Sequence, residues 1–392
     1  MKLLVSTIIV VVISLVGCDS PKKDKKEDEQ KQTTMTMITS VVGDDIRISL
    51  EGTGKAVINW GDGTTIDSIS LIPNRSHHKH KYNDTTSHTI TVIGDIITFL
   101  DCSYCKLTHL DVGENRTLET LICGWNGLTS LDLSKNKALK RLTCHENRLT
   151  SLNLSNNKLL DDLFCINNRL SILDISNCKE MVLLYCSSNN LTNLDVSKNK
   201  KLTELDCGGN QISSLKIDNN ILLKKLICYD NQLSNLDITK NNELKELSCS
   251  GNHLTTLNIN NLKNLEELNC SDNQLTFLEF NRNVALKYLR CGTNNLNTLD
   301  VSKNNALTTL SCENNQLTSL NVSKNETLVI LSVENNKFGA NDLDNLLSQL
   351  HNNIIENESK VVFIAGNPGV INYNHRKTKP KGWRVSTTLT NE

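Results

Sequence analysis

The chain has 392 residues, and its 42 Lys and Arg against 43 Asp and Glu leave a formal net charge of −1. That balance excludes a protein that tracks nucleic-acid phosphates, which needs a basic face. With 18 Gly, 4 Pro and 4% aromatic residues, collagen-like and Pro/Gly-rich disordered chains are excluded as well.

Met1 and Lys2 open onto an apolar run from Leu3 to Val16, broken by Ser6, Thr7 and Ser14. A charged start, an apolar run of about 14 residues and a small residue after it predict a secretory signal over 1–17, not a mature membrane span. The run ends Leu15-Val16-Gly17-Cys18, which resembles the lipobox of bacterial lipoproteins. The resemblance implies cleavage before Cys18, acylation of its thiol and new amino terminus, and a bacterial envelope location, outer-membrane and surface-exposed. No other apolar run approaches the roughly 18 residues of a bilayer span, so the membrane is expected to be met through the lipid alone. Residues 18–34 continue as the lipidated Cys and a charged tether with no apolar face, predicted to be disordered.

Residues 35–96 read as a small β domain, with strand character at Ile46–Leu50, Ala56–Trp60, Ser68–Ile72, His78–Tyr82 and Thr89–Ile93. Trp60-Gly61-Asp62-Gly63-Thr64, His80-Lys81-Tyr82 and His88-Thr89-Ile90-Thr91-Val92 resemble the W-G-D-G…H-x-Y…Y-T-V-T pattern of PKD-like modules. His88 stands where that pattern has an aromatic. His77, His78, His80 and His88 lack a carboxylate or Cys at ligand spacing, so no metal is expected. Glu51 to Ala56 imitates the end of a phosphate loop but lacks the first Gly and the metal-binding hydroxyl.

From residue 97 the chain repeats. Eleven of the 14 Cys fall at steps of 21 residues, from Cys102 through Cys123 and Cys144 to Cys312, and Val333 continues the series. Around each the pattern is L-x-x-L-x-C-x-x-N-x-L-x-x-L-x-[VIL]-[ST]-x-N-x-x. Such a fixed period denotes stacked coils that share one core. Leu and Cys two apart point to one side of an extended segment, and Asn sits where the chain turns and leaves backbone groups to be paired. Cys123, Cys144, Asn126 and Asn147 belong to the resulting ladders. Cys105, Cys178 and Leu262 are exceptions at Asn positions. Parallel, inward thiols are expected to stay free.

The pattern resembles the leucine-rich repeat, and within it the 21-residue bacterial subclass with a nested half-repeat, the IRREKO type. It covers about 230 of the 392 residues, with eleven full repeats over 97–327 and a partial twelfth to Phe338. The fold expected is mainly β: a leucine-rich-repeat solenoid of about 12 coils over 97–338, near 55 Å long at about 4.8 Å per coil. The β domain caps its amino-terminal end. At 339–392 the period breaks, and Leu343, Leu346, Leu347 and Leu350 predict an amphipathic helix. Lys360–Ala365 and Gly382–Val385 read as strands and Asn367-Pro368-Gly369 as a turn, a cap closed by Trp383.

Rows of like residues suit an extended partner rather than catalysis, and no catalytic motif is found. The expectation is therefore a binding or adhesion module, without cofactor, for a protein or glycan outside the cell; the alternative is a periplasm-facing scaffold of the envelope. Ile122, Trp125, Phe164, Ile166, Tyr185, Ile227 and Tyr229 occupy outward positions and are expected to form one apolar-aromatic strip over about six coils, the candidate partner site. Strand propensity alone, or cover by the amino-terminal domain, would explain them otherwise.

Overall fold

The computed structural model describes residues 32–40, 45–64, 66–355, 359–374, 376 and 381–388. The signal, Cys18 and nearly all of the tether lie outside them. The fold begins with strand β1 (Thr33–Thr39), where Met35 and Met37 alternate with Thr and turn inward. β2 (Asp45–Asn59) pairs antiparallel with β3 (Asp67–Leu71), β4 (Ser76–Lys81) and β5 (His88–Asp101). The two strands expected at Ile46–Leu50 and Ala56–Trp60 are thus one long strand. It keeps going because register shifts at Glu51/Gly52 and Thr53/Ala56 absorb the irregular Gly-rich stretch. Gly52 is required there: a Cβ would stand 1.9 Å from the Ile96 carbonyl oxygen.

The histidines of this region are spent on packing. Trp60 stacks on His80 at 4.9 Å, and Tyr82 stacks on His88 at 4.0 Å. His80 bonds Asp62 at 2.7 Å, His77 bonds Ser49 at 2.7 Å, and His88 bonds Asp84 at 2.8 Å. Among the described residues no group of three His, Cys, Asp or Glu is placed to hold a metal ion.

β5 joins the sheet to the solenoid. Its first half pairs antiparallel with β1, which also pairs with β6 (Leu107–Asp111). Its last three residues, Phe99–Asp101, run parallel to β7 (Thr120–Ile122). From β7 to β17 (Ile330–Ser332) a three-residue strand recurs every 21 residues, each parallel and in register with the next. The fold is therefore a mainly β, parallel-strand solenoid of about 13 turns. After helix α1 (Ala340–Gln349), β18 (Lys360–Phe363) and β19 (Trp383–Ser386) add two more parallel rungs.

Each coil buries what the repeat offers. In one, Leu121, Cys123, Leu128, Leu133 and Leu139 are at most 1% exposed. The first Asn row knits neighbours together. Asn210 Nδ2 donates to the carbonyls of Cys186, Cys207 and Gly208 at 3.0–3.2 Å, while its Oδ1 accepts from Leu191 N–H at 2.9 Å. The second row spans coils through its amide nitrogen alone: Asn220 Nδ2 donates to Val196 and Asn199 carbonyls at 3.0 and 2.9 Å, while its Oδ1 accepts no hydrogen bond among the described residues. Cys105 replaces the first Asn because its upstream neighbour is β2, not a coil; its thiol donates to the Arg47 carbonyl at 3.2 Å. The 13 described cysteines are buried and free. Burial pushes their thiols up, Cys144 and Cys249 to about 12.

Candidate functional site

Outward positions in each coil lie three and one before the Cys and one and two after it. The strands β7–β17 hold the first two on one sheet surface, and the turn that follows carries the others. The chain has six Phe, six Tyr and three Trp, and Phe99, Tyr104, Trp125, Phe164, Tyr185, Tyr229 and Tyr288 fall at these positions. That concentration belongs to one surface of the molecule, not to β structure in general.

The position two after the Cys has a left-handed backbone in nearly every coil, with φ between 46° and 62°. Asn, Asp and Gly suit it, and they occupy Asn167, Gly209, Asp230, Gly251, Asp272, Asn314 and Asn335. Tyr104 (φ 57°) and Trp125 (φ 55°) do not suit it. A bulky residue held there costs about 1 kcal/mol or more. The two rings stack at 5.4 Å and 10°, and the His145 ring meets Trp125 edge-on at 6.1 Å. One stacked pair returns about 1 kcal/mol, less than the strain of two such residues. The rings nonetheless stay 66% and 45% exposed. His145 lies across Gly124, where a Cβ would come within 2.5 Å of it, and its burial lowers its pKa.

Phe164 and Tyr185 form a second stack at 4.7 Å, half-buried, with Ile166 beside Phe164 on the same coil. The Tyr185 hydroxyl donates to Glu204, and burial with this carboxylate raises its pKa. Asp206 follows, accepting from Ser187 Oγ and Gly208 N–H at 3.1 Å each, its pKa raised by burial. Beyond it Ile227 and Tyr229 line a hollow of about 210 Å³ with Glu246, Glu267, Asn269, Tyr288 and Arg290. The Tyr229 ring lies across Gly208, whose Cβ would come within 2.4 Å of it.

The expected strip is thus divided. Ile122 stands half-buried in β7, Trp125 pairs with Tyr104 at the turn, Phe164, Ile166 and Tyr185 form a middle patch, and Ile227 and Tyr229 border the hollow. The charged Asp206 separates the last two groups. Phe99 is covered from the amino-terminal side: the Arg75 guanidinium sits 4.5 Å over its ring. Tyr288 and the carboxylates Glu246 and Glu267 line the hollow without belonging to the apolar pattern; their outward register was the available signal. Trp383 is packed in the cap, its Nε1 donating to the His351 carbonyl at 2.9 Å.

No family model matches this chain, and no curated protein matches it. Solved structures do. The functional domain of InlJ from Listeria monocytogenes, which includes a cysteine ladder, is 28% identical over 70% of this chain and 76% of that one, with a TM-score of 0.50. A leucine-rich repeat protein of Leptospira interrogans is 25% identical over 73% and 83%, with a TM-score of 0.62. The internalin InlF of Listeria monocytogenes is 22% identical over 75% and 87%, with a TM-score of 0.67. The fold is that of bacterial leucine-rich repeat proteins.

Proposed function

We propose that this chain is a surface-anchored lipoprotein that captures a protein or glycan outside the cell through the outward face of β7–β17. Cys18 is the lipid attachment point in this reading. The observation that carries the binding role is the exposed Tyr104–Trp125 pair, held at backbone positions that disfavour it. Exposed aromatic clusters of this kind supply most of the binding energy in interfaces. The neighbouring leucine-rich repeat structures support a protein-binding role.

The test is a soluble chain starting at Gln32, screened against protein and glycan panels, beside the variant Trp125→Ser/Phe164→Ser/Tyr185→Ser. Capture should fall at least tenfold with the melting temperature changed by no more than a few degrees. A large drop in melting temperature would make these residues structural. The anchoring is tested separately by protease treatment of intact cells, read with an antibody to the carboxy-terminal cap. Loss of signal without lysis fits the surface; protection until the outer membrane is broken would favour a periplasm-facing scaffold.

A further inference from the structure

The charge of the molecule is not spread evenly. The chain is almost neutral, yet the outward positions from Phe99 to Asn335 carry 11 Asp and Glu against Arg141, Lys225 and Arg290. Six of the acids crowd four consecutive coils: Glu204, Asp206, Asp230, Glu246, Glu267 and Asp272. Two basic residues at these positions stand beside them, Lys225, bound to Glu246 at 2.7 Å, and Arg290, which lines the hollow with Glu246 and Glu267, so acids outnumber bases there six to two. Carboxylates gathered on one surface of a neutral protein repel one another and attract positive charge to that surface.

The hollow lies within this stretch. Tyr229 and Tyr288 stand on either side, and Glu246 and Glu267 enter its wall. Its volume of about 210 Å³ matches one long side chain. A ring beside a carboxylate is the setting that holds a guanidinium or ammonium, through charge and the negative ring face together. The chain already shows the contact: Arg75 lies over Phe99 while its Nε donates to Glu51 at 3.1 Å.

We propose that the partner bound by this face presents an extended segment rich in Arg or Lys, one basic side chain of which enters the hollow between Tyr229 and Tyr288. Five coils at about 4.8 Å are spanned by roughly seven extended residues at about 3.3 Å each. The inference rests on the sheet face being a binding surface and adds the chemistry of what it binds.

The experiment uses labelled dodecapeptides of alternating Arg–Ser, Gln–Ser and Glu–Ser, titrated by fluorescence anisotropy into the chain from Gln32 onward. The Arg–Ser peptide should bind, weaken severalfold between 50 and 300 mM salt as expected for exposed charges, and lose at least tenfold affinity with Glu246→Gln/Glu267→Gln. Tyr288→Leu should weaken it too, whereas Glu180→Gln, away from the face, should not. Equal binding of Arg–Ser and Gln–Ser, or equal losses from Glu180→Gln and from the face variants, overturns the proposal. Capture of a neutral protein or glycan that is lost in the Trp125/Phe164/Tyr185 triple variant but unchanged in Glu246→Gln/Glu267→Gln also overturns it, while leaving the binding-module reading intact. Circular dichroism identical to the unsubstituted chain shows that each variant is folded.

Discussion

A single residue type, the buried cysteine, is expected to dominate the solenoid's response to high pH. Thirteen thiols are buried without partners among themselves. Cys105, Cys144 and Cys249 are pushed up to about 12 and Cys178 to about 11, from an ordinary 9.0, with burial as the first cause. The folded state therefore keeps protons that the unfolded chain gives up. The stabilisation is complete below the unfolded value and is lost as pH rises through the folded ones. Each thiol forfeits about 1.4 kcal/mol per pH unit in that window, so a handful exceeds the usual 5–15 kcal/mol of a domain. Melting temperature should hold level from pH 6 to 8 and collapse between 9 and 11. A level curve to pH 11 would mean the thiols ionise without unfolding. Their positions were legible because the period names them. Tyr104 occupies the same turn position as Trp125 one coil earlier, and only the stacking of the two rings marks it as part of the same surface feature.

Among the elements, the carboxy-terminal cap shows how a pattern continues after its spacing is lost. Asn367 repeats the first ladder: its Nδ2 donates to Val333 and Ile364 carbonyls at 2.8 and 2.9 Å, and its Oδ1 accepts from Phe338 N–H at 3.2 Å. It lies 31 residues beyond Asn336 because α1 is inserted between the rungs, so a search at 21 residues passes it by. The Asn-Pro-Gly sequence reads locally as a turn, which it is, and not as a ladder position. Asn367→Ala should leave Phe338 N–H and the Ile364 carbonyl without this partner, at about 1–3 kcal/mol per buried group, while the Val333 carbonyl keeps its bond from Asn336 Nδ2 at 3.2 Å. Stability is local in stacked repeats. Amide exchange should therefore speed up in β17, β18 and the cap while β7–β12 stay protected; uniform acceleration would show the ladder to be one cooperative unit. Similarly, β2 was legible as β structure but not as one strand, because Gly52 and Gly54 look like a turn where they form bulges.

At the level of the whole molecule, the period is the design. Removal of 21 residues within the array, 193–213 for example, restores every Leu, Cys and Asn to register. Removal of 193–212 puts each following inward residue one place off, and core side chains face water. The first deletion should fold with a melting temperature a few degrees lower; the second should aggregate or show no cooperative transition. Equal behaviour of the two would deny that register holds the stack together. Coil number, ladders and capped ends were all open to reading from the sequence, because they are set by repetition. The acidic face was not read there: a net charge of −1 conceals it, and it emerges only when charges are sorted by the side of the coil they occupy.

One feature of the amino-terminal sheet has a mechanical meaning. β1 lies between β5 and β6, bonded to both, and β5 is also the first rung of the coil stack. A pull arriving from the chain's amino-terminal side enters at Thr33. It must strip β1 from two neighbours before any coil is loaded. β1 is thus a built-in fuse: under tension it is the element placed to yield first, and the stacked coils with their outward strand face lie behind it on the load path.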